Sequence, residues 1–298
     1  MAIRWSRVSP VLALTPAVTV TLVAFFGAIL WTVYMSFTTA RMFPEFGIDW
    51  SDLWRQYERL WGTSEWFTAL RNVVTLALGG CLAIVFGFIL AAMVEKEKRG
   101  EGFFRTVYLY PLAISFIVTG IVWRWIFNPS LGLENFLHQL GWTSASIGWL
   151  KSPNTAIYGI ILASVWHGIG FYMALMLAGL KSINTEIWSA AKLDGVSFWR
   201  FYGEIVIPMM KFTFLTCAIL LSLGVVRTYD IVVAMTNGGP GTSTWTPAYF
   251  IINAYSTRGN IAYASAAAVI MLLLTAAIFL PLVIITAWQN RRREAAIQ

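Results

Sequence analysis

Six long apolar runs constrain this chain more than any other feature of its sequence. Each run is long enough for an α-helix to cross a hydrocarbon core of about 30 Å, which takes roughly 20 residues. The runs cover residues 12–37, 67–94, 106–127, 156–180, 209–235 and 261–288. Because lipid offers no hydrogen-bond partner to a free backbone amide, each run is expected to be helical. The sequence therefore predicts an all-α membrane protein with six transmembrane helices, in a single domain over residues 1–298.

The composition agrees with a membrane protein and excludes an ordinary soluble domain. Of the 298 residues, 58% are hydrophobic and 12% are charged, whereas average soluble domains carry about 25% charged residues. The net charge is +7, but the basic residues are scattered between the apolar runs, so topology explains them better than nucleic-acid binding does. Cys81 and Cys217 lie inside apolar runs, and His138 and His167 are the only histidines. Neither a disulfide nor a metal site is therefore expected.

The distribution of lysine and arginine predicts the orientation. Six spans place both termini on one side of the membrane. With that side cytoplasmic, 13 of the 21 basic residues lie in inner segments and eight in outer segments, as the positive-inside rule expects. The inner basic residues include Arg4 and Arg7 and cluster within 95–105 and 291–293. Both termini are therefore expected in the cytoplasm.

The outer segments and the loops have features of their own. Aromatic and apolar residues recur at helical spacing over residues 50–61, with charged residues between them, which predicts a short amphipathic helix in the outer interface. Residues 128–155 and the Gly238-Gly239-Pro240-Gly241 run are expected to be loops. No Gly-Lys-Ser/Thr follows those glycines, and no Walker A motif occurs in the chain, so this subunit is not expected to bind ATP.

The segment between the fourth and fifth runs, residues 181–208, is the most informative one. It is polar enough to leave the membrane but keeps helical apolar spacing. Asn184 or Thr185 can cap a first helix, and Gly195 permits the left-handed turn that ends it. A second helix over about 197–205 should follow, with Pro208 opening the fifth span. A cytoplasmic helix–turn–helix is predicted, and an ordinary interfacial loop is the alternative that the residues alone leave open.

This segment resembles the signature loop of binding-protein-dependent ABC importer permeases. The family pattern is Glu-Ala-Ala, three residues, Gly, nine residues, and then Ile-x-Leu-Pro. Here Ala190-Ala191 precede Gly195 by the family spacing, and the run from Ile205 to Pro208 follows at the family spacing. Ser189 stands where the family has glutamate, and Ile207 stands where it has leucine. A role that rests on the missing carboxylate cannot be carried over.

The resemblance extends along nearly the whole chain and implies a type I ABC importer permease. It narrows to carbohydrate permeases of the maltose and glycerol-3-phosphate type, most similar to those for glucose, mannose or α-glucosides. The matching stretches are Arg71–Val74, Tyr108–Pro111, Gly120–Asn128, Leu177–Leu180, Tyr229–Asp230 and Thr236–Pro240. Two such permeases, usually non-identical, form a pore in the bacterial inner membrane, two ATPase subunits dock on the cytoplasmic loops, and an extracytoplasmic binding protein delivers the sugar.

The resemblance also assigns roles within this chain. It implies that the chain is not an enzyme and holds no cofactor, because ATP and Mg²⁺ belong to the partner ATPase. The coupling loop over residues 181–208 is expected to contact that ATPase. The residues expected to carry this contact are Ser189, Ala190, Ala191, Asp194, Gly195 and Pro208.

Polar and tryptophan side chains inside the apolar runs are candidates for the substrate pathway, because ionisable groups at membrane depth are costly. Arg227 and Asp230 are three residues apart and are expected on one face of the fifth helix. They either form a structural ion pair near the interface or line the pore and bind sugar hydroxyls. The tryptophans either belong to the interfacial belt or stack on a sugar ring, and His167 either packs or contacts sugar. The candidates are Trp123, Arg124, Trp166, His167, Arg227, Tyr229 and Asp230.

Two other classes of protein compete with an importer permease. An ion-coupled secondary transporter needs acidic residues near the midplane, but Asp230 is the only clear acid inside a run and lies towards its outer end. A membrane enzyme needs paired carboxylates, a nucleophile with a base, or metal ligands, and the runs contain none of these arrangements. Within importers, a glycoside or an anionic sugar stays open as the substrate, because Arg124 and Arg227 can bind an acidic group.

Overall fold

The computed structural model describes residues 5–48, 50–96, 100–144 and 146–297, with the side chains of residues 14–280 in these ranges other than Glu101. All regular secondary structure in these ranges is helical, apart from one isolated bridge between Thr38 and Ile48. The all-α fold is therefore confirmed. The α-helices are α1 (Trp5–Ser36), α2 (Arg55–Trp61), α3 (Ser64–Lys96), α4 (Glu101–Leu109), α5 (Phe116–Ile126), α6 (Leu133–Gln139), α7 (Ala156–Lys181), α8 (Thr185–Leu193), α9 (Phe198–Arg200), α10 (Ile207–Met209), α11 (Lys211–Val226), α12 (Asp230–Met235), α13 (Pro247–Ile252) and α14 (Ile261–Ile297). Short 3₁₀ turns cover Tyr110–Ala113 and Trp149–Lys151, and π-helical turns cover Phe201–Val206 and Asn253–Thr257.

Between four and six segments of the described chain can cross a membrane. Four are continuous helices: Leu14–Ser36, Ser64–Lys96, Ala156–Lys181 and Ile261–Leu280. Two bent helix pairs supply a fifth and a sixth if each pair is one span: Gly102–Ala113 with Phe116–Ile126, and Phe198–Met209 with Lys211–Val226. The first, second, fourth and sixth predicted spans are therefore continuous helices. The expectation of a continuous helix is wrong for the third and the fifth.

The third apolar run, predicted as one helix over 106–127, bends by 95° after Ala113. Pro111 has no amide hydrogen, and the chain leaves α4 through a 3₁₀ turn to an extended Ile114, with φ −91° and ψ 137°. Ser115 then caps α5, because its hydroxyl oxygen accepts a hydrogen bond from the Val118 N–H at 3.3 Å. This run is therefore two helices joined at a corner.

The fifth apolar run, predicted as one helix over 209–235, is interrupted twice. Pro208 was expected to open the long helix, but it lies in α10 instead. A bend of 70° separates the segment Phe198–Met209, which contains α10, from α11. Helix α11 then ends before Arg227–Tyr229, which connect it to α12. The Thr228 carbonyl accepts a hydrogen bond from the Thr246 hydroxyl at 2.7 Å. A side chain thus supplies the donor that a continuous helix would have provided from its own backbone.

The chain forms two compact units, of which the first comprises Met1–Thr63 and Phe250–Leu273. In this unit the end of α1 packs on the start of α14, where Met35, Ala40 and Ala262 are buried together. Helix α2 joins them through Tyr57, whose hydroxyl lies 2.7 Å from the Ser36 hydroxyl in a hydrogen bond. Helix α2 confirms the amphipathic helix predicted over 50–61, although it begins only at Arg55.

The second unit comprises Ser64–Tyr249 and Leu274–Gln298. Helices α3, α7 and α11 pack on one another here, and their shared core contains Ala91, Met176 and Cys217. Gly87 lets α3 approach α7 closely, because an added Cβ at this position would lie 2.8 Å from the backbone nitrogen of Met173. Small residues at helix crossings are typical of membrane bundles. That residues 1–298 form one permease domain stays a prediction.

The predicted orientation depends in part on basic residues that the structure does not describe. Arg4, Lys98 and Arg99 lie outside the described residues, and so do the side chains of Arg7 and Arg291–Arg293. The placement of both termini in the cytoplasm therefore stays a prediction.

Candidate functional site

A cavity of about 370 Å³ lies in the second unit, between α3, α7 and α11. Much of its wall is apolar, and Gly80, Gly168 and Gly224 contribute one glycine from each of the three helices. An added Cβ at Gly224 would meet no atom within 4 Å, so this position faces open space. The missing side chain at Gly224 therefore helps to leave the cavity open.

Polar groups collect in this cavity at the break after α11. Arg227, Thr228, Tyr229 and Asp230 all line it. Arg227 and Asp230 were expected on one face of a continuous helix, which is wrong because the helix ends before Arg227. The break nevertheless brings them to the same cavity, with Arg227 and Asp230 exposed and the two residues between them half-buried. Ser164 on α7 adds another hydroxyl group to the wall.

Arg227 and Asp230 do not form the structural ion pair that was one of the two expectations. Both side chains belong to the described part of the chain, and no ion pair joins them there. A guanidinium, a carboxylate, hydroxyl groups and the aromatic rings of Tyr172 and Tyr229 therefore line one cavity. This set of groups can hydrogen-bond a polyhydroxylated solute and stack against its ring.

Four other candidates are not among the side chains that line this cavity: Trp123, Arg124, Trp166 and His167. Trp123 and Trp166 meet edge to face, with their ring centroids 5.9 Å apart. His167 is 4% exposed, its Nδ1 lies 3.1 Å from Thr119 Oγ1, and its ring centroid lies 4.1 Å from that of Phe116. Phe116 does line the cavity, so His167 packs behind the wall.

Several lining residues were not predicted, namely Phe116, Ser164, Tyr172 and Gly224. The glycines near the middle of three apolar runs were an available signal, because small residues mark close crossings or open space between membrane helices. The sequence does not show which of these two cases applies to a given glycine. That distinction needs the helix positions.

A hydrogen-bonded segment after α12 holds the break in place. Asn72 on α3 is 2% exposed and donates from Nδ2 to the carbonyls of Ser243 at 2.8 Å and Trp245 at 2.9 Å. Tyr249 donates from its hydroxyl to the Asn237 carbonyl at 2.8 Å. Burial raises the pKa of Tyr249, and the nearby Tyr229 raises it further. The expected loop at Gly238–Gly241 is confirmed, and Thr246, whose hydroxyl caps the break, follows it in the chain.

Residues 181–208 form the predicted helix–turn–helix. Asn184 is the N-cap of α8, and its Oδ1 accepts a hydrogen bond from the Glu186 N–H at 3.1 Å. Gly195 has φ +65°, as the left-handed turn requires. The Val196 N–H then returns to the Ala191 carbonyl at 3.1 Å. The second helix is less regular than predicted, because α9 passes into a π-helical turn at Phe201.

Aromatic contacts fix the two halves of this loop to each other and to α3. The ring centroids of Trp188 and Phe201 are 4.8 Å apart, and those of Phe198 and Tyr202 are 4.5 Å apart. The Lys96 ammonium at the end of α3 lies 3.8 Å from the centre of the Phe198 ring. A force applied to the loop therefore acts on a packed aromatic cluster that contacts the membrane-spanning helix α3.

The face of the loop away from this cluster is exposed. Ala191 is buried, and the other five candidate contact residues are exposed: Ser189, Ala190, Asp194, Gly195 and Pro208. Leu193 is 89% exposed and Trp199 is 83% exposed on the same loop. Sequence reasoning missed both of them, since their spacing does not distinguish an inward from an outward side. Exposed large apolar groups of this kind are typical of protein-interaction surfaces.

Comparison with known proteins gives a consistent result. Residues 83–295 match a family described as the inner membrane component of binding-protein-dependent transport systems. A probable ABC transporter permease of Pyrococcus horikoshii is 34% identical over 279 residues, which cover 91% of this chain and 93% of that protein. The lactose transport system permease protein LacF of Rhizobium radiobacter is 32% identical over 73% of this chain and 75% of its own length. A bacterial ABC transporter involved in the import of the acidic polysaccharide alginate contains a chain with a TM-score of 0.78 at 19% identity, covering 96% of both chains.

These matches identify the chain as the membrane permease component of an ABC importer. This chain belongs to the family of binding-protein-dependent transport system inner membrane components. The family that the resemblance of residues 181–208 implied is therefore confirmed. In this family the permease spans the membrane and a separate ATPase hydrolyses ATP, which excludes the secondary transporter and the membrane enzyme.

Proposed function

We propose that this chain forms one half of the translocation pore of an ATP-driven sugar importer, and that the cavity at the α11 break is part of the sugar path. The observation that carries this proposal is one cavity lined by Ser164, Tyr172 and the run from Arg227 to Asp230 inside an otherwise apolar bundle. Its volume of about 370 Å³ falls in the range of small-molecule sites, about 300–1,000 Å³. Such polar groups would be energetically costly on a lipid-facing surface.

A neutral sugar such as glucose, mannose or an α-glucoside suits this lining best. Arg227 and Asp230 place one positive and one negative group at the same cavity. The pair therefore adds no net charge to the cavity, which suits a neutral solute. LacF, by its name, transports a neutral sugar, lactose. An anionic sugar is the second candidate, because Arg227 is exposed and does not pair with Asp230.

The other subunits and the orientation belong to the same proposal. The exposed face of residues 181–208, with Leu193 and Trp199, contacts one subunit of an ATPase dimer, which holds ATP and Mg²⁺ and leaves this chain without a cofactor. A second, non-identical permease completes the pore. A soluble binding protein delivers the sugar on the extracytoplasmic side, and both termini of this chain lie in the cytoplasm.

The test is uptake by the complete importer in proteoliposomes, with the ATPase, the second permease and the binding protein present. Labelled glucose, an α-glucoside and glucuronate are compared with and without ATP. Uptake of a neutral sugar that requires ATP and falls about tenfold in Arg227→Ala or Asp230→Ala is the expected result, since each removes a charge-assisted hydrogen bond. Arg71→Ala is the matched control, because Arg71 is exposed and does not line the cavity. Wild-type rates in both cavity variants, correctly assembled, contradict the proposed path, and uptake of glucuronate alone favours the anionic candidate.

A further inference from the structure

The first unit contains a polar pocket of its own. It has a volume of about 350 Å³ and is lined by Thr39, Arg41, Arg55, Gln56, Arg59 and Asn260. Three of these six side chains are guanidinium groups and none is a carboxylate. Within the described residues, no ion pair involves any of the three arginines. The pocket therefore concentrates positive charge that no described side chain of this chain neutralises.

The surrounding structure holds the Arg59 side chain and the backbone next to Arg41 in position. The Arg59 guanidinium lies 4.6 Å from the centre of the Tyr263 ring, and Tyr263 is 1% exposed and hydrogen-bonded through its hydroxyl to Thr63 at 2.7 Å. The Ala262 N–H donates to the Ala40 carbonyl at 3.0 Å, which fixes the backbone next to Arg41. A guanidinium that is already held in place loses less conformational entropy when it binds.

Gln56 ties α2 to the same framework. This side chain is 7% exposed, and its Nε2 donates to the Thr38 carbonyl at 3.2 Å. Arg55 and Arg59 lie beside Gln56 on the same face of α2, because residues four apart in a helix are neighbours. The chain therefore brings three separate stretches, around residues 39–41, 55–59 and 260, to one cationic pocket.

The opposite face of α2 shows which way this pocket opens. Trp54, Tyr57 and Trp61 line an apolar groove together with Val33 of α1 and Val269 of α14. Helices α1 and α14 are continuous candidates for membrane spans. Since the apolar face of α2 lies against membrane-spanning helices, its arginine face points to the aqueous side. A ligand for the pocket therefore arrives from water and not from the hydrocarbon core.

The distribution of Lys and Arg along the whole chain indicates that these three arginines have a function. Under the predicted orientation all three lie in outer segments, where the positive-inside rule disfavours Lys and Arg. Guanidinium groups bind carboxylate and phosphate oxygens in a bidentate way, which distinguishes them from simple point charges. Three arginines around one pocket match an oxyanion better than they match a membrane anchor.

We propose that this pocket binds an oxyanion, a carboxylate or phosphate group, presented from the extracytoplasmic aqueous phase. Arg41, Arg55 and Arg59 supply the charge, and Asn260 supplies a neutral donor from Nδ2, since its Oδ1 already accepts the Tyr263 N–H at 3.0 Å. The group is carried either by a free small molecule or by an acidic side chain of the soluble binding protein. The chemistry at the pocket is the same in both cases.

The experiment compares Arg41→Gln/Arg55→Gln with wild type in the complete importer held in lipid nanodiscs. Neither of these side chains makes a described hydrogen bond or ring contact, so the fold and the Arg59 contact with Tyr263 should persist. Arg71→Gln/Lys151→Gln is the matched control, because it removes two exposed cations outside the pocket. Co-purification of all subunits verifies that each variant assembles.

Two measurements distinguish the two sources of the oxyanion. The first is calorimetric titration with inorganic phosphate and with citrate in the absence of binding protein and sugar. The second is the binding-protein concentration that half-saturates ATPase stimulation at low and at physiological salt. We expect at least about a tenfold weakening in one of them for the pocket variant, from the loss of charge-assisted hydrogen bonds. The control should stay within about twofold of wild type.

Weakened phosphate or citrate binding assigns the site to a free anion, and a weakened binding-protein response with reduced salt dependence assigns it to a protein carboxylate. The proposal is overturned if both measurements stay within about twofold of wild type, or if the control variant changes as much as the pocket variant. The first measurement uses no transported sugar, so its failure is distinct from a failure of the proposed function.

Discussion

Gly224→Leu is the most direct way to ask whether solute passes through the cavity at the α11 break. An added Cβ at Gly224 meets no atom within 4 Å, so the new side chain begins in open space. Leucine also has a better helix propensity than glycine, which is about 0.8–1.0 kcal/mol less favourable than alanine, so α11 should not be weakened. Any loss of transport then reflects obstruction and not unfolding.

The expected loss follows from the size of the cavity. A leucine side chain occupies roughly 100 Å³ at the packing density of protein interiors, which is more than a quarter of the cavity volume of about 370 Å³. If the solute must displace the leucine side chain, the free-energy barrier to its passage rises by the cost of overpacking, about 1–3 kcal/mol. That cost corresponds to a fall of roughly 5- to 150-fold in the rate of uptake.

The assay is ATP-dependent sugar uptake in proteoliposomes, measured beside ATPase activity and beside co-purification of the other subunits. Gly27→Leu is the matched control, because Gly27 also has open space around its Cβ position but lies in α1 and not at the cavity. We expect Gly27→Leu to transport normally and Gly224→Leu to assemble, hydrolyse ATP and transport slowly. Uptake at the wild-type rate by fully assembled Gly224→Leu would show that solute does not use this cavity.

Three further predictions concern the coupling loop and the segment that holds the break. Gly195→Asp should reduce sugar-stimulated ATPase activity while binding-protein affinity stays intact, because φ +65° disfavours a side chain and the carboxylate lies on the exposed face; normal stimulation in the reconstituted variant refutes this. Leu193→Asp should lower the amount of ATPase that co-purifies with the permease by about tenfold or more, since Leu193 is 89% exposed on the loop; equal recovery with the control Leu131→Asp, a side chain that is 67% exposed elsewhere, argues against that contact. Asn72→Leu should destabilise the permease by about 2–5 kcal/mol, because two carbonyls lose their buried donor. A thermal unfolding midpoint equal to that of the exposed control Asn154→Leu contradicts the role of Asn72 in holding the segment after α12.

The sequence predicted the features that depend on local chemistry. The length of each apolar run located the four continuous spans, because bilayer thickness sets helix length directly. Asn184 and Gly195 predicted the start and the end of α8, because a cap and a left-handed turn each need a particular residue at one position. The signature spacing around Gly195 identified the family before any geometry was known.

The sequence did not predict features that depend on residues far apart in the chain. The break at Thr228 rests on the Thr246 hydroxyl, 18 residues later, and the segment carrying that hydroxyl is held by Asn72 on α3. Hydropathy alone cannot show such an interruption, since the residues on both sides of it are apolar. For the same reason Arg227 and Asp230 were assigned to one helical face, although their shared cavity arises from the end of the helix.

Two of the three places where a predicted helix is interrupted are informative about function. Backbone that is not helical at membrane depth is tolerated only where it is buried in protein or lines a cavity, because lipid cannot satisfy its polar groups. The corner at Ser115 leads directly to Phe116, and the break after α11 begins at Arg227, and both Phe116 and Arg227 line the same cavity. The two interrupted helices therefore meet where a polar path through the bundle would have to pass. Their coincidence supports the cavity as the path independently of the identity of the sugar, because it depends on backbone hydrogen bonding and not on which side chains face the solute.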